Sequence, residues 1–121
     1  MKALLPAFLT SLLIASASAS SSPDHFKGEP AETLADAVAN FSEYNQQLAA
    51  LLAQDELSIT DLGTIHELTY TLENALEKIN EEVETMAVTL EEVHLGSETG
   101  DFERVSTNGA AYIDAAQTLI P

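Results

Sequence analysis

Between Leu62 and Val93 an apolar or near-apolar residue recurs at alternating spacings of three and four. Leu62, Thr69, Leu76, Val83 and Leu90 form one series. Ile65, Leu72, Ile79, Met86 and Val93, each three residues further on, form the other. A seven-residue repeat held over this length has one common physical cause. A long α-helix keeps a seam of side chains against partner helices, because residues three and four apart stand above one another on one face. The repeat fixes a core, exposed faces and the placement of the histidines, and it names no reaction.

The two flanks of that helix differ. One carries Asp61, Thr64, Leu68, Thr71, Ala75, Lys78, Glu82, Thr85 and Thr89, small or mildly apolar at several places, and predicts a second packed neighbour on the Leu68–Ala75 side. The other carries His66, Tyr70, Glu73, Glu77, Asn80, Glu84, Glu91, His94 and Glu98. That Glu-rich flank reads as a water-facing surface with a histidine near each end.

Two further helices complete the pattern. Residues 30–54 place Leu34, Val38, Phe41, Asn45, Leu48 and Leu52 on one stripe. Pro30 would stand in the first turn, where its missing N–H does no harm, and Asn45 at a seam position would set register. After a short connection, Ser58 with Asp61 three residues on resembles a capped start. The central helix then spans about 59–95, with Gly96 and Gly100 bracketing its end. Residues 101–120 place Phe102, Val105, Gly109, Tyr112, Ala116 and Leu119 on a third stripe. No alternating β-branched run interrupts this pattern, so the expected fold is all-α: an antiparallel three-helix bundle around one long central helix. At a rise of about 1.5 Å per residue the helices measure roughly 37, 55 and 30 Å, so the outer two overlap by only about 12 Å near the middle. Leu72, Leu76, Ile79 and Val83 are the expected centre.

The start of the chain reads as an export signal. Met1 and Lys2 give a short positive start, and Ala3 to Ala15 is apolar but shorter than the ~20 residues a membrane span needs. Ala15-Ser16-Ala17 and Ala17-Ser18-Ala19 are small-x-small cleavage candidates. A cut after Ala19 assigns 1–19 to the signal peptide, 20–29 to an extended polar tail and 30–121 to the bundle. The mature chain of about 100 residues has the size of one small domain. The sequence has no cysteine, hence no lipid-anchoring Cys, disulfide or c-type haem attachment pair. The expected location is periplasmic or secreted.

Cleavage would remove Lys2 and leave Lys27, Lys78 and Arg104 against all 20 acids, moving the net charge from −16 to −17. Nothing in such a chain replaces phosphate counterions, which excludes nucleic acid as a partner. Basic proteins and metal cations would be attracted, while a plainer role for the acids is to solubilise a helical surface.

Catalytic signals are missing. The chain has no Cys nucleophile and no Gly-x-Ser-x-Gly turn, and no glycine-rich phosphate loop. Its carboxylates lie on helix surfaces, where water keeps them ionised. We therefore expect no enzyme.

The histidines carry the sharpest chemical expectation. His66 and His94 share a flank but lie 28 residues apart, about 42 Å along a straight helix, too far for one site. Glu91-x-x-His94 is the spacing that ferritin-like di-iron bundles use twice and point inward; here it occurs once and points outward. If the tail continues along the central helix beyond Pro30, five extended residues reach about 17 Å. That would bring His25 level with His94. His25, Glu91 and His94, with Glu98 nearby, would suit Zn²⁺, Cu²⁺ or Ni²⁺. The plainer alternative makes His25 a tail residue and pairs His94 with Glu91. His66 with Tyr70 reads as a packed, half-buried pair, and Met86 as plain core.

Two segments are distinctive: Ile65-His66-Glu67-Leu68-Thr69-Tyr70-Thr71-Leu72-Glu73-Asn74-Ala75-Leu76-Glu77, and His25-Phe26-Lys27-Gly28-Glu29-Pro30-Ala31-Glu32-Thr33-Leu34. Together they resemble a family of small exported proteobacterial proteins known as a domain of unknown function. The resemblance covers most of the mature chain and implies a secreted helical protein without catalytic residues to transfer. The general shape is also similar to periplasmic four-helix b-type cytochromes, although a fourth helix is missing and no Met remains near the mature N-terminus as an axial ligand. The functional expectation is an exported, non-enzymatic interaction or structural module. Single-partnered stretches of its central helix would bind a second copy or another helical protein. The alternative is a periplasmic protein that binds a transition metal, or haem, at the distal pole.

Overall fold

The structure, a computed structural model, describes residues 26–121. The expected signal peptide and the tail through His25 lie outside the described residues. Three helices follow: α1 (Leu34–Leu52), α2 (Ile59–Thr99) and α3 (Phe102–Leu119), with no strand among the described residues. The all-α expectation holds.

Each helix starts at a side chain able to accept an orphan backbone N–H. Ser58 and Asp61 form the expected capping box of α2: the Asp61 N–H donates to Ser58 Oγ (3.1 Å) and the Ser58 N–H to the Asp61 carboxylate (2.8 Å). Thr33 and Asp36 form the same box for α1. α1 therefore begins at Leu34 and not at Pro30, because the box satisfies two donors and proline satisfies none. Asp101 caps α3 by accepting from the Arg104 N–H at 3.0 Å. α2 runs past the expected stop near Leu95 and ends at Gly100, whose φ of +69° is the left-handed closing conformation. Gly96 has another use. A Cβ there would meet Val105 Cγ2 at 3.0 Å and Arg104 Cβ at 3.3 Å, so its bare backbone is what lets α3 come close.

α1 and α3 each pack along α2 and touch one another only slightly. Their lengths explain why: 19 and 18 residues together fall short of the 41 in α2. Over most of its length α2 thus has one helical neighbour.

The buried face of α2 is rotated from the expected one. Leu68, Thr71, Leu72, Ala75, Met86 and Gly96 are buried, joined by Leu34 and Ala37 of α1. Leu76 and Val83, expected at the centre, are 50% and 42% exposed. The flank of Leu68, Thr71 and Ala75 proves to be the heart of the core, because Thr71 and Ala75, with Gly96 further along α2 and Ala37 of α1, are small enough to let helix backbones approach. One series of the heptad (Leu72, Met86) stays under cover, and the other becomes a shoulder. α3 contributes no fully buried residue, and Phe102, assigned to its packed stripe, is 88% exposed.

Candidate functional site

The chain before α1 is built into the fold by side chains of α2. Phe26 to Glu29 lies across the turn Tyr70–Asn74. Asn74 Nδ2 donates to the carbonyls of Lys27 and Glu29, both at 2.9 Å. The Glu29 N–H donates to Thr71 Oγ1 at 2.9 Å, and Thr71 is only 1% exposed. Gly28 makes this contact possible. Its φ is +70°, and a Cβ there would stand 2.6 Å from Thr71 N and 2.8 Å from Thr71 Oγ1. Phe26 meets Tyr70 edge-on with ring centroids 6.1 Å apart, and Tyr70 meets His66 at 5.1 Å. The Tyr70 hydroxyl is 3.3 Å from His66 Nε2. The two segments that carry the family resemblance therefore form one clasp in space. His66 pairs with Tyr70 as expected, but remains exposed.

The clasp reverses the expected course of the tail. Phe26 lies beside Tyr70, and Tyr70 precedes His94 by 24 residues, about 36 Å of helix. Asn74 and Thr71 hold the extension along the N-terminal half of α2, so it does not continue from Pro30 toward the distal pole. His25 itself lies outside the described residues. Glu91 and His94 are both exposed, and His94 Nε2 faces Glu98 at 3.4 Å. No group of three or more His, Cys, Asp or Glu among the described residues is arranged to hold a metal ion.

Beside the clasp an open groove of about 480 Å³ is lined by Lys27, Pro30, Asn74, Glu77, Lys78 and Glu81 among others. Lys78 is committed within it: Nζ lies 2.7 Å from Glu82 and 3.4 Å from Glu81, and the Glu82 contact raises its pKa. The ion pair favours its charged form. At the other end Arg104 Nε donates to Glu92 at 2.7 Å, tying α3 to α2. This contact lowers the Glu92 pKa and raises that of Arg104.

The remaining feature is the shoulder of α2. Leu76 (50%), Val83 (42%) and Leu90 (45%) form a partly exposed apolar line at heptad spacing, and Leu62 (50%) extends it two heptads earlier, beyond the half-buried Thr69. Next to it run His66, Glu73, Asn80, Ala87 and His94, then Glu77, Glu84, Glu91 and Glu98, all exposed. These two rows contain no Lys or Arg. The sequence pattern located this line but assigned it to the interior.

Fold and surface together define a small acidic all-α protein whose long central helix keeps one apolar edge uncovered. The chain belongs to the family of unknown function DUF6746, whose profile matches residues 1–121. No curated protein and no solved structure matches it. No helix among the described residues is long and apolar enough to cross a membrane.

Proposed function

We propose that this protein is an exported, non-enzymatic interaction module that binds a helical partner along the open edge of α2. The supporting observation is the half-exposed line Leu62, Leu76, Val83 and Leu90. Apolar side chains at heptad spacing serve one purpose well, which is to receive another helix. The division of α2 between two short neighbours leaves room for it, and the built-in extension holds the N-terminal half of α2 in one arrangement. Export is supported by the N-terminal pattern of Lys2, the apolar run and the Ala-x-Ala sites.

A photo-crosslinking amino acid replacing Val83 tests the reading in producing cells, with the same group replacing the exposed Ser42 of α1 as control. A discrete crosslinked product from position 83 and none from position 42 is expected. Equal yields, or none at position 83, would remove the proposal.

A further inference from the structure

We infer that the occupant of the α2 edge is a cationic amphipathic helix of another protein and not a second copy of this chain. The inference rests on the interaction reading above and adds the partner's chemistry. The apolar line and its polar border run parallel along one helix. Glu77, Glu84, Glu91 and Glu98 recur every seven residues, about 10.5 Å apart, in step with Leu76, Val83 and Leu90. Glu73 adds to the border; Lys27 lines a groove with Glu77, and Lys78 there is paired with Glu81 and Glu82, so Glu73, Glu84, Glu91 and Glu98 make up the part of the border away from these cations. A helix with leucines at heptad spacing and lysine or arginine beside them would match both features in one register.

Self-pairing meets the opposite electrostatics. A second copy laid on the same edge would bring two chains together, each of formal charge −16, or −17 once Lys2 is removed with the signal, each with its Glu row beside the contact. Like charges across a contact oppose association. The small area of the edge makes this charge term matter. The line from Leu62 to Leu90 is about 42 Å long, and at about 10 Å wide it covers some 420 Å². That is roughly half of the ~800 Å² per partner typical of a stable interface. A weak contact of this size needs electrostatic attraction, which a cationic helix supplies and a second copy does not.

The test uses the purified protein and a synthetic four-heptad peptide with leucine at a and d and lysine at the flanking positions. A scrambled peptide of the same composition measures general attraction to polyanions. Calorimetry should show one patterned peptide per chain, with the scrambled peptide at least about tenfold weaker. Glu77→Gln, Glu84→Gln and Glu91→Gln combined should weaken the patterned peptide by about tenfold. Glu43→Gln, Glu56→Gln and Asp114→Asn combined, which change the net charge equally on other surfaces, should leave it within about twofold. Equal affinity for both peptides, or equal losses in both triple variants, would reduce the binding to bulk charge and overturn the inference. So would a dimer of the protein that the peptide competes away, since the second copy would then be the occupant. Failure of the peptide while the crosslink from position 83 survives removes the cationic helix alone; loss of that crosslink removes the interaction reading itself.

Discussion

Replacing Gly28 with alanine should detach the N-terminal extension, and three glycines allow the size of the effect to be worked out. Gly28 and Gly100 have nearly the same backbone, φ +70° and +69°, but a Cβ at Gly100 meets nothing within 4 Å. Gly100→Ala therefore measures the left-handed strain alone, about 1–2 kcal/mol. Gly63 lies inside α2 with open space around its Cα, so Gly63→Ala should stabilise the fold by about 0.5–1 kcal/mol. Gly28→Ala carries the strain and a contact of 2.6 Å with the Thr71 nitrogen, which belongs to helical backbone and cannot swing aside. Its upper limit is loss of the whole clasp. That means three hydrogen bonds at about 1 kcal/mol each and an aromatic edge of about 1 kcal/mol, less the entropy regained by the freed residues. Gly28→Ala should therefore cost less than about 4 kcal/mol, and about 1 kcal/mol or more beyond Gly100→Ala. Urea unfolding of the three variants at constant slope reads these values, and amide exchange at Glu29 should lose its protection only in Gly28→Ala. If Gly28→Ala and Gly100→Ala agree within about 0.5 kcal/mol, the extension does not pack on α2 and the clasp is wrong.

Leu72→Ala should cost about 2–4 kcal/mol, since Leu72 is buried, whereas the half-exposed Leu76→Ala should cost about 1 kcal/mol; equal losses in urea would restore the symmetric seam. Ala75 is fully buried, so Ala75→Leu should overpack the core and cost about 1–3 kcal/mol, read as a lowered melting temperature. Asp61 is held below its ordinary pKa by the Ser58 hydroxyl and backbone, and Glu92 by Arg104. Because the folded-state values are the lower ones, both groups stabilise the fold above the ordinary carboxylate range. That stability is lost as pH falls through about 4 and then through the folded values. Asp61→Asn and Glu92→Gln should each narrow the stability gap between pH 7 and pH 3 relative to the parent chain; unchanged gaps would mean that these contacts contribute nothing.

What the sequence revealed follows from what local physics determines. Helix identity, number and antiparallel order follow from apolar spacing, short connections and end signals such as Ser58 with Asp61. Starts and stops are less legible: the capping box of Thr33 and Asp36 overrides Pro30 as the start of α1, and Gly96 serves the approach of α3 and does not end α2. The rotation of α2 was the larger miss. A heptad of Leu62, Leu76, Val83 and Leu90 reads as core because hydrophobicity does not say how closely two backbones approach. Ala37, Thr71, Ala75 and Gly96 decide that, and as small residues they leave a weak trace in a hydropathy pattern. The clasp had a legible element, a polar Thr71 on a flank expected to pack, but its partner was a backbone N–H that no side-chain pattern reveals. The direction of the tail depended on that same contact. His66 with Tyr70 was visible as an i, i+4 pair, whereas Phe26 beside it required the turn at Gly28.

The central claim is that the Leu76–Val83 edge is open in the isolated protein and covered where the protein works. The chain contains no cysteine, so single cysteines report accessibility without background. Leu76→Cys and Val83→Cys should react with a small maleimide rapidly in the purified protein, near the rate of the exposed control Ser42→Cys, while Leu72→Cys and Met86→Cys react slowly. In intact producing cells, with a reagent that reaches exported proteins, positions 76 and 83 should become protected and position 42 should not. Slow reaction at position 76 in the purified protein, or undiminished reaction there in cells, would contradict the account.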